Sequence, residues 1–425
     1  MATICLKSEL DLFSKKNVQT SILDNDVVAL RPISSDYDSV LEFVSVSNEK
    51  YVDLNSIYLH LRVKLTKPDG SAFKATDTKI GCANYLLNSL FGQVAVYLNN
   101  VCITPNNENH HYRSYIETLL NYGRDASDTH LSAAFWYLDT GSCKAEDANS
   151  GYKKRVSLLQ ESKEVDLYGR IHSDIFNLNQ LLLNNVELKV RLVRNKDDIV
   201  VMSPSENDKG KLVITNAALY VKEVSISPHV LLSHSKMLQS TNAQYHVLRS
   251  EVKAFTIAAG QQQASLDNVF IGSLPKFIVF AMVKNSAFAG KMSLNPFIFS
   301  HENLVHFCTY INGKQIPPNG LQMDFDKKLT TQAYYTLFQN TPIQHRNNTH
   351  IITKAMFDSN FMIIPIDYTP DSDAMGLHTS LENQGSLRID LRFKQGLSEA
   401  MTCLVYACMD GTIEITQDRR VITDY

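Results

Sequence analysis

Residues 58–65, YLHLRVKL, alternate strictly between apolar and polar. Leu59, Leu61, Val63 and Leu65 fall on one face, and Tyr58, His60, Arg62 and Lys64 on the other. Residues 186–192 (VELKVRL) and 387–394 (LRIDLRFK) repeat the pattern. A period of two with one polar face predicts strands half-buried in antiparallel sheets. Residues 277–283, FIVFAMV, are apolar throughout and fit a strand covered on both faces, with a short buried helix as the alternative. Helical signals are few. Residues 114–122 form one candidate, with Ser114 as N-cap, Glu117 three positions on and Gly123 as the stop. Residues 126–136 form a second. Strands and helices do not alternate over long stretches, so a parallel α/β sheet is disfavoured.

The chain echoes itself. YLNNVCI (97–103) and YINGKQI (310–316) each read as strand, two-residue turn, strand. Asn312-Gly313 is a strong hairpin signal, because a type I′ turn needs positive φ at both central positions, and Asn99-Asn100 is a weaker form of it. YIETLL (115–120) is echoed by AYYTLF (333–338), sharing Thr118/Thr336 and Leu119/Leu337. LKVRL (188–192) is echoed by LRIDL (387–391). The echoes recur in one order, which predicts two copies of one β-sandwich joined end to end. The boundaries expected are an arm at 1–27, a first sandwich at 28–230 and a second at 231–425. A short linker or helix is expected at about 228–244, where Pro228 ends the preceding strand. Polar loops are expected at 104–110, 139–155, 195–210, 340–350 and 367–386.

Charge narrows the function. With 41 basic and 44 acidic residues the net charge is −3, so no strong field draws nucleic acid or anionic lipid. The densest basic stretch is Lys153-Lys154-Arg155 after Tyr152. It is the best candidate for a DNA contact, and an ordinary solvated loop is the more expected reading. The 7 cysteines are scattered without CxxC pairs, which argues against a zinc site or a disulfide framework. The N-terminus has no signal-peptide pattern, and no apolar run reaches the ~20 residues of a membrane span.

Candidate chemistry is sparse. His110 and His111, taken as strand residues, point to opposite faces and cannot share a metal, and His301 and His306 are poorly spaced for one. Asp24/Asp26 and Asp371/Asp373 lack the calcium-loop pattern. No nucleophile-elbow, zinc-protease or phosphate-loop motif stands in its required context. The expectation is a non-enzyme with no catalytic residue, cofactor or metal. A single Trp (Trp136) is sparse for a carbohydrate-binding double β-sandwich, the competing reading.

Seven blocks of the sequence resemble the major capsid proteins of Polinton/Maverick elements and adintoviruses. They are ELDLFSKKNVQTSI (9–22), YVDL (51–54), NSLFGQVAVYLN (88–99), HYRSYIETLLNYG (111–123), GRIHSDIF (169–176), NPFIFSHENL (295–304) and IEITQDRRVITDY (413–425). The chain departs from that family at Lys15-Lys16-Asn17, where Pro is usual, and at Asn100, where Gly is common. The resemblance implies an all-β fold of two tandem antiparallel jelly rolls, with short helices in the connections. It also implies homotrimers of pseudo-hexameric outline that tile an icosahedral double-stranded DNA virus shell. The partners implied are neighbouring capsomers and a single jelly-roll penton or minor capsid protein, with no strong direct nucleic-acid binding. An internal membrane is left open. The implied location is the virion, assembled in the nucleus or cytoplasm without secretion. A domesticated capsid-derived protein that builds no virion is the alternative. Leu10, Leu12 and Phe13 mark the arm as a candidate assembly element docking under a neighbouring subunit or the inner shell.

Overall fold

The computed structural model describes residues 18–34, 36–46, 48–74, 79–104, 108–146, 148–205, 208–339, 350–376 and 378–424. Among the described residues, sixteen strands form the main paths of four sheets, and four strands of two or three residues add to their edges or pair apart. The first half contributes β1 (Ile22–Leu30), β2 (Val40–Ser45), β3 (Tyr51–Thr66), β4 (Phe91–Leu98), β5 (Val101–Cys102), β6 (Val165–Arg170), β7 (Leu188–Arg194) and β8 (Lys211–Ile226). The second half contributes β9 (Ala243–Ile257), β10 (Gln263–Ser273), β11 (Phe277–Lys284), β12 (Leu304–Ile311), β13 (Lys314–Gln322), β14 (Ile363–Asp367), β15 (Gln384–Phe393) and β16 (Met401–Ile415). The first half pairs as β1-β8-β3-β6 and β2-β7-β4-β5. The second pairs as β9-β16-β11-β14 and β10-β15-β12-β13. The order is the same with every strand advanced by eight, and every pairing is antiparallel. Each half is a jelly roll, so the chain is a tandem pair of them.

The alternating segments are strands with the faces the pattern assigned. Leu59, Leu61, Val63 and Leu65 are buried, and so are Leu188, Val190 and Leu192 on β7 and Leu387, Ile389, Leu391 and Phe393 on β15. The apolar run 277–283 is strand β11, buried along its whole length. Strand β16 is its neighbour and is buried on both faces over Met401–Met409. Four longer helices lie in the connections: α1 (His110–Asn121), α2 (Ser150–Leu159), α3 (Pro228–Met237) and α4 (Thr331–Gln339). α3 spans most of the interval between β8 and β9, with Pro228 in its first turn, where a missing N–H costs nothing.

Four details differ from the sequence reading. α1 starts at His110, so Ser114 is no N-cap; its hydroxyl donates to the His111 carbonyl inside the helix. His110 and His111 are therefore first-turn helix residues, both buried. The 126–136 candidate is two short turns, Arg124–Asp128 and His130–Ala134. The expected 139–155 loop gives way at residue 150 to α2, which is capped by the Asn149 side chain accepting from Tyr152 N.

The predicted turn residues sit at equivalent tips. Asn99 (φ 45°) and Asn100 (φ 63°) join β4 to β5, and Asn312 (φ 50°) and Gly313 (φ 84°) join β12 to β13. Their side chains do more than turn the chain. Asn99 Oδ1 accepts from Glu187 N at 2.8 Å, and Asn312 Oδ1 accepts from Ser386 N at 3.0 Å. Glu187 precedes β7, and Ser386 lies at the start of β15, so each Asn extends the ladder of its sheet by one amide. Gly385 makes room: a Cβ there would lie 1.8 Å from Asn312 Oδ1, at a φ of +154°. Asn312→Gly keeps the permitted φ but loses the amide. It is expected to lower stability by about 1 kcal/mol and Asn312→Ala by more, because Ala also pays for positive φ. Urea midpoints of the two variants measure both effects.

Candidate functional site: the seam between the sandwiches

The two halves meet along a seam built from α1 and the loop at 137–146 on one side and the outer face of β9-β16-β11 on the other. α1 places its first two turns against this sheet. Asn109 Nδ2 donates to the Val252 carbonyl at 3.5 Å, and Arg113 Nη1 to the Ser250 carbonyl at 3.4 Å.

A buried charge cluster lies at the centre. Arg113 bonds Glu117 one turn on (2.9 Å) and Asp174. Asp174 Oδ1 also accepts from Ser250 N of the second half at 3.1 Å. Tyr406 of β16 places its hydroxyl 3.1 Å from both Glu117 Oε1 and Ser250 Oγ. His172 Nδ1 lies 2.6 Å from Glu117 Oε2, and the Tyr85 hydroxyl 2.8 Å from His172 Nε2. Burial raises the Glu117 carboxyl, but Arg113 and His172 outweigh burial and hold it well below the usual carboxylate range. Asp174 stays above its usual value, because burial outweighs Arg113 there.

A second cluster closes one flank. Arg155, fully buried, bonds Asp139 at 2.6 Å and the Cys82 carbonyl at 2.9 Å. Asp139 Oδ2 accepts from Asn295 of the second half at 2.8 Å. The basic stretch read as a nucleic-acid candidate is thus divided. Tyr152 and Arg155 point into the core, and only Lys153 and Lys154 face solvent. On the other flank Arg419 donates to the Asn184 carbonyl (2.8 Å) and side chain (2.7 Å), and its own carbonyl accepts from Asn99 Nδ2 at 2.7 Å.

Between the clusters the seam is aromatic. Tyr115 stacks on Phe297 with centroids 4.0 Å apart and planes 4° from parallel. Trp136 is fully buried beside Tyr85 and Tyr115 and offers no platform to a sugar. His111 packs against Tyr112, and neither ring nitrogen finds a partner among the described residues.

Sequence reasoning missed this seam. Glu117 was read as a capping-box member, whereas it is the residue where helix, loop and second sandwich meet. The available signal was HYRSYIETLLNYG itself, which is too rich in His, Arg and Glu for a helix otherwise destined for burial. Leu10, Leu12 and Phe13 lie outside the described residues. Among the described residues no group of three or more His, Cys, Asp or Glu could hold a metal, and no helix is long and apolar enough to cross a membrane.

Comparison with known proteins agrees with this architecture over the full chain. A chain of the Sputnik virophage cryo-EM structure superposes with a TM-score of 0.62, 10% identity, and coverage of 100% of this chain and 93% of that one. The VP54 protein of PBCV-1 gives 0.60 and 11% identity, covering 97% of this chain and 99% of that one. The mavirus major capsid protein gives 0.52 and 8%, covering 100% and 95%. At such identities the likeness establishes the fold: a double jelly roll. No model of a known protein family matches. In sequence, the chain is 23% identical over 396 residues to the uncharacterized protein F54H12.2 of Caenorhabditis elegans, spanning 90% of this chain and 93% of that one.

Proposed function

We propose that this chain is a major capsid protein of the Polinton/Maverick and adintovirus kind. It assembles as a homotrimer with a pseudo-hexameric outline, and the trimers tile an icosahedral shell around double-stranded DNA. The observation that carries the reading is the repetition of one eight-strand order in a single chain, with the two sandwiches locked side by side by a buried seam. Such a block is rigid and wide. Three of them around a threefold axis place six sandwiches in a ring, and near-hexagonal rings tile flat facets. The full-length likeness to the virophage and PBCV-1 chains supports the same reading. Of the arm expected at 1–27, residues 22–27 belong to strand β1 and so to the first jelly roll. In this reading the residues before β1 are the arm, the two jelly rolls meet near residues 230–231, and neighbouring trimers and a single jelly-roll penton protein are the partners.

Solution mass and negative-stain microscopy test it. Three chains of 47.9 kDa sum to about 144 kDa, and hexagonal particles are expected. A stable monomer at micromolar concentration overturns the proposal. Deleting residues 1–20 removes Leu10, Leu12 and Phe13, and is expected to leave the trimer intact while lowering the yield of closed shells. Unchanged shell yield removes the arm from assembly.

The likeness to a Caenorhabditis elegans protein favours a second reading, a host-resident capsid-derived protein that builds no virion. Finding genes for a packaging ATPase and a protease beside this one decides for the virus.

A further inference from the structure

We infer that copies of this chain join by repeating their own internal seam, with α4 of one copy seated on the outer face of sheet β1-β8-β3-β6 of the next. The inference rests on the trimer reading above and names the surfaces that form its joint.

Within one chain, α1 of the first jelly roll covers the outer face of β9-β16-β11 of the second. The covered row Val252, Tyr406 and Val279, in register across the three strands, is at most 5% exposed. The same two components exist a second time, and the described residues leave them partly open. The equivalent sheet of the first jelly roll carries Tyr220 opposite Tyr58 and His60 opposite Tyr168 on its outer face. Tyr58 stacks on Tyr168 at 5.4 Å and Tyr220 lies 5.9 Å from Tyr168, yet Tyr168 remains 42% exposed. Val27 on the neighbouring edge strand is 62% exposed.

The equivalent helix is α4. The shared, buried pairs Thr118/Thr336 and Leu119/Leu337 set its register against α1. That register places Tyr335 where α1 has Glu117. The Glu117 side chain is 11% exposed against the second sandwich, whereas Tyr335 is 46% exposed, with half-buried Tyr334 and Phe338 beside it. An aromatic helix face and an aromatic sheet face thus stand open on opposite halves of one molecule. Each is the counterpart of a surface that is covered inside the chain. A second copy supplies both components in the arrangement already realised once. Contacts of this head-to-tail kind close into a ring when the rotation allows, and two sandwiches per copy make a ring of six at three copies.

The substitution of Tyr335 for Glu117 changes the chemistry of the joint. Inside the chain this position forms ion pairs within an otherwise aromatic seam. Between copies it presents an aromatic ring to a tyrosine cluster flanked by the exposed His60–Asp166–Arg62 ion pairs, so added salt screens only those flanking charges.

The test uses the full-length chain. Tyr335→Asp and Tyr168→Asp are each expected to weaken trimerisation roughly tenfold or more, read by analytical ultracentrifugation across a dilution series, with circular dichroism unchanged. Tyr335→Phe should keep the trimer. Ile271→Asp, a control on the other sheet of the second jelly roll where Ile271 is 71% exposed, should also keep it. The wild-type trimer should persist in high salt. If either Asp variant misfolds, the other decides. Trimers of unchanged affinity in a folded Asp variant overturn the inference and leave the capsid reading standing. A wild-type monomer overturns both.

Discussion

Arg113→Ala is expected to lower the unfolding free energy by about 3–5 kcal/mol, because it strips the only cation bonded to two buried carboxylates among the described residues. Asp174 then has no charge partner among the described residues and Glu117 keeps only His172, so one carboxylate must take up a proton or the seam must open. The Ser250 amide and the Tyr406 hydroxyl still reach the cluster, so the lost contacts are chiefly ionic. Urea denaturation followed by circular dichroism and by tyrosine fluorescence measures the effect. Because the cluster joins the halves, the two probes are also expected to separate, one sandwich unfolding ahead of the other. A loss below about 1 kcal/mol with coincident transitions would show that the seam is held by its aromatic part instead. Glu117→Gln should cost less than Arg113→Ala, since it keeps the hydrogen-bond geometry while removing charge.

Acid is expected to unfold the chain early. Burial pushes the His111 imidazole down to about 3 and that of His350 to about 4, and it holds His110 well below its ordinary 6.5. These folded values are depressed, so the unfolded chain binds protons that the folded chain refuses. Stability from these groups is intact above 6.5 and is lost as pH falls. The slope is roughly 1.4 kcal/mol per pH unit for each of His111 and His350, about 4 kcal/mol for the two between pH 6.5 and 5, and His110 acts in the same direction. Asp174, raised by burial, works weakly in the opposite sense, and Glu117, held low, adds to the loss only near and below its ordinary 4.5. His111→Phe fits among Tyr112 and Phe297 and should lower the slope by roughly 1.4 kcal/mol per pH unit. The measurement is the urea midpoint of both proteins from pH 7 to pH 5. Parallel curves would show that His111 is not the proton acceptor.

Some positions were readable because their signal is local. Alternation in YLHLRVKL needs no knowledge of the partner strand, since side chains alternate faces in any strand. The paired turns at Asn99 and Asn312 were readable because few residues accept positive φ. Other positions misled. Ser114 and Glu117 have the spacing of a helix start, yet the helix begins a turn earlier, because His111 and Tyr112 are buried against Phe297 and Phe288 and His110 is buried beside Asn88. Arg155 looked like part of a solvated basic run. Its guanidinium is instead satisfied by Asp139 and two carbonyls that lie far along the chain or across a loop.

The sequence by itself determined two repeated all-β halves, their turn chemistry and the sidedness of most strands, because these follow from periodicity and backbone sterics over a few residues. Only the tertiary structure decided which sheet faces are covered. The outer face of β16 reads like any other apolar strand until α1 lies on it, whereas Tyr58, read onto the polar face, joins Tyr168 and Tyr220 in an aromatic cluster that the described residues cover only in part. Burial of a second face depends on groups distant in the chain, and no local pattern encodes that distance.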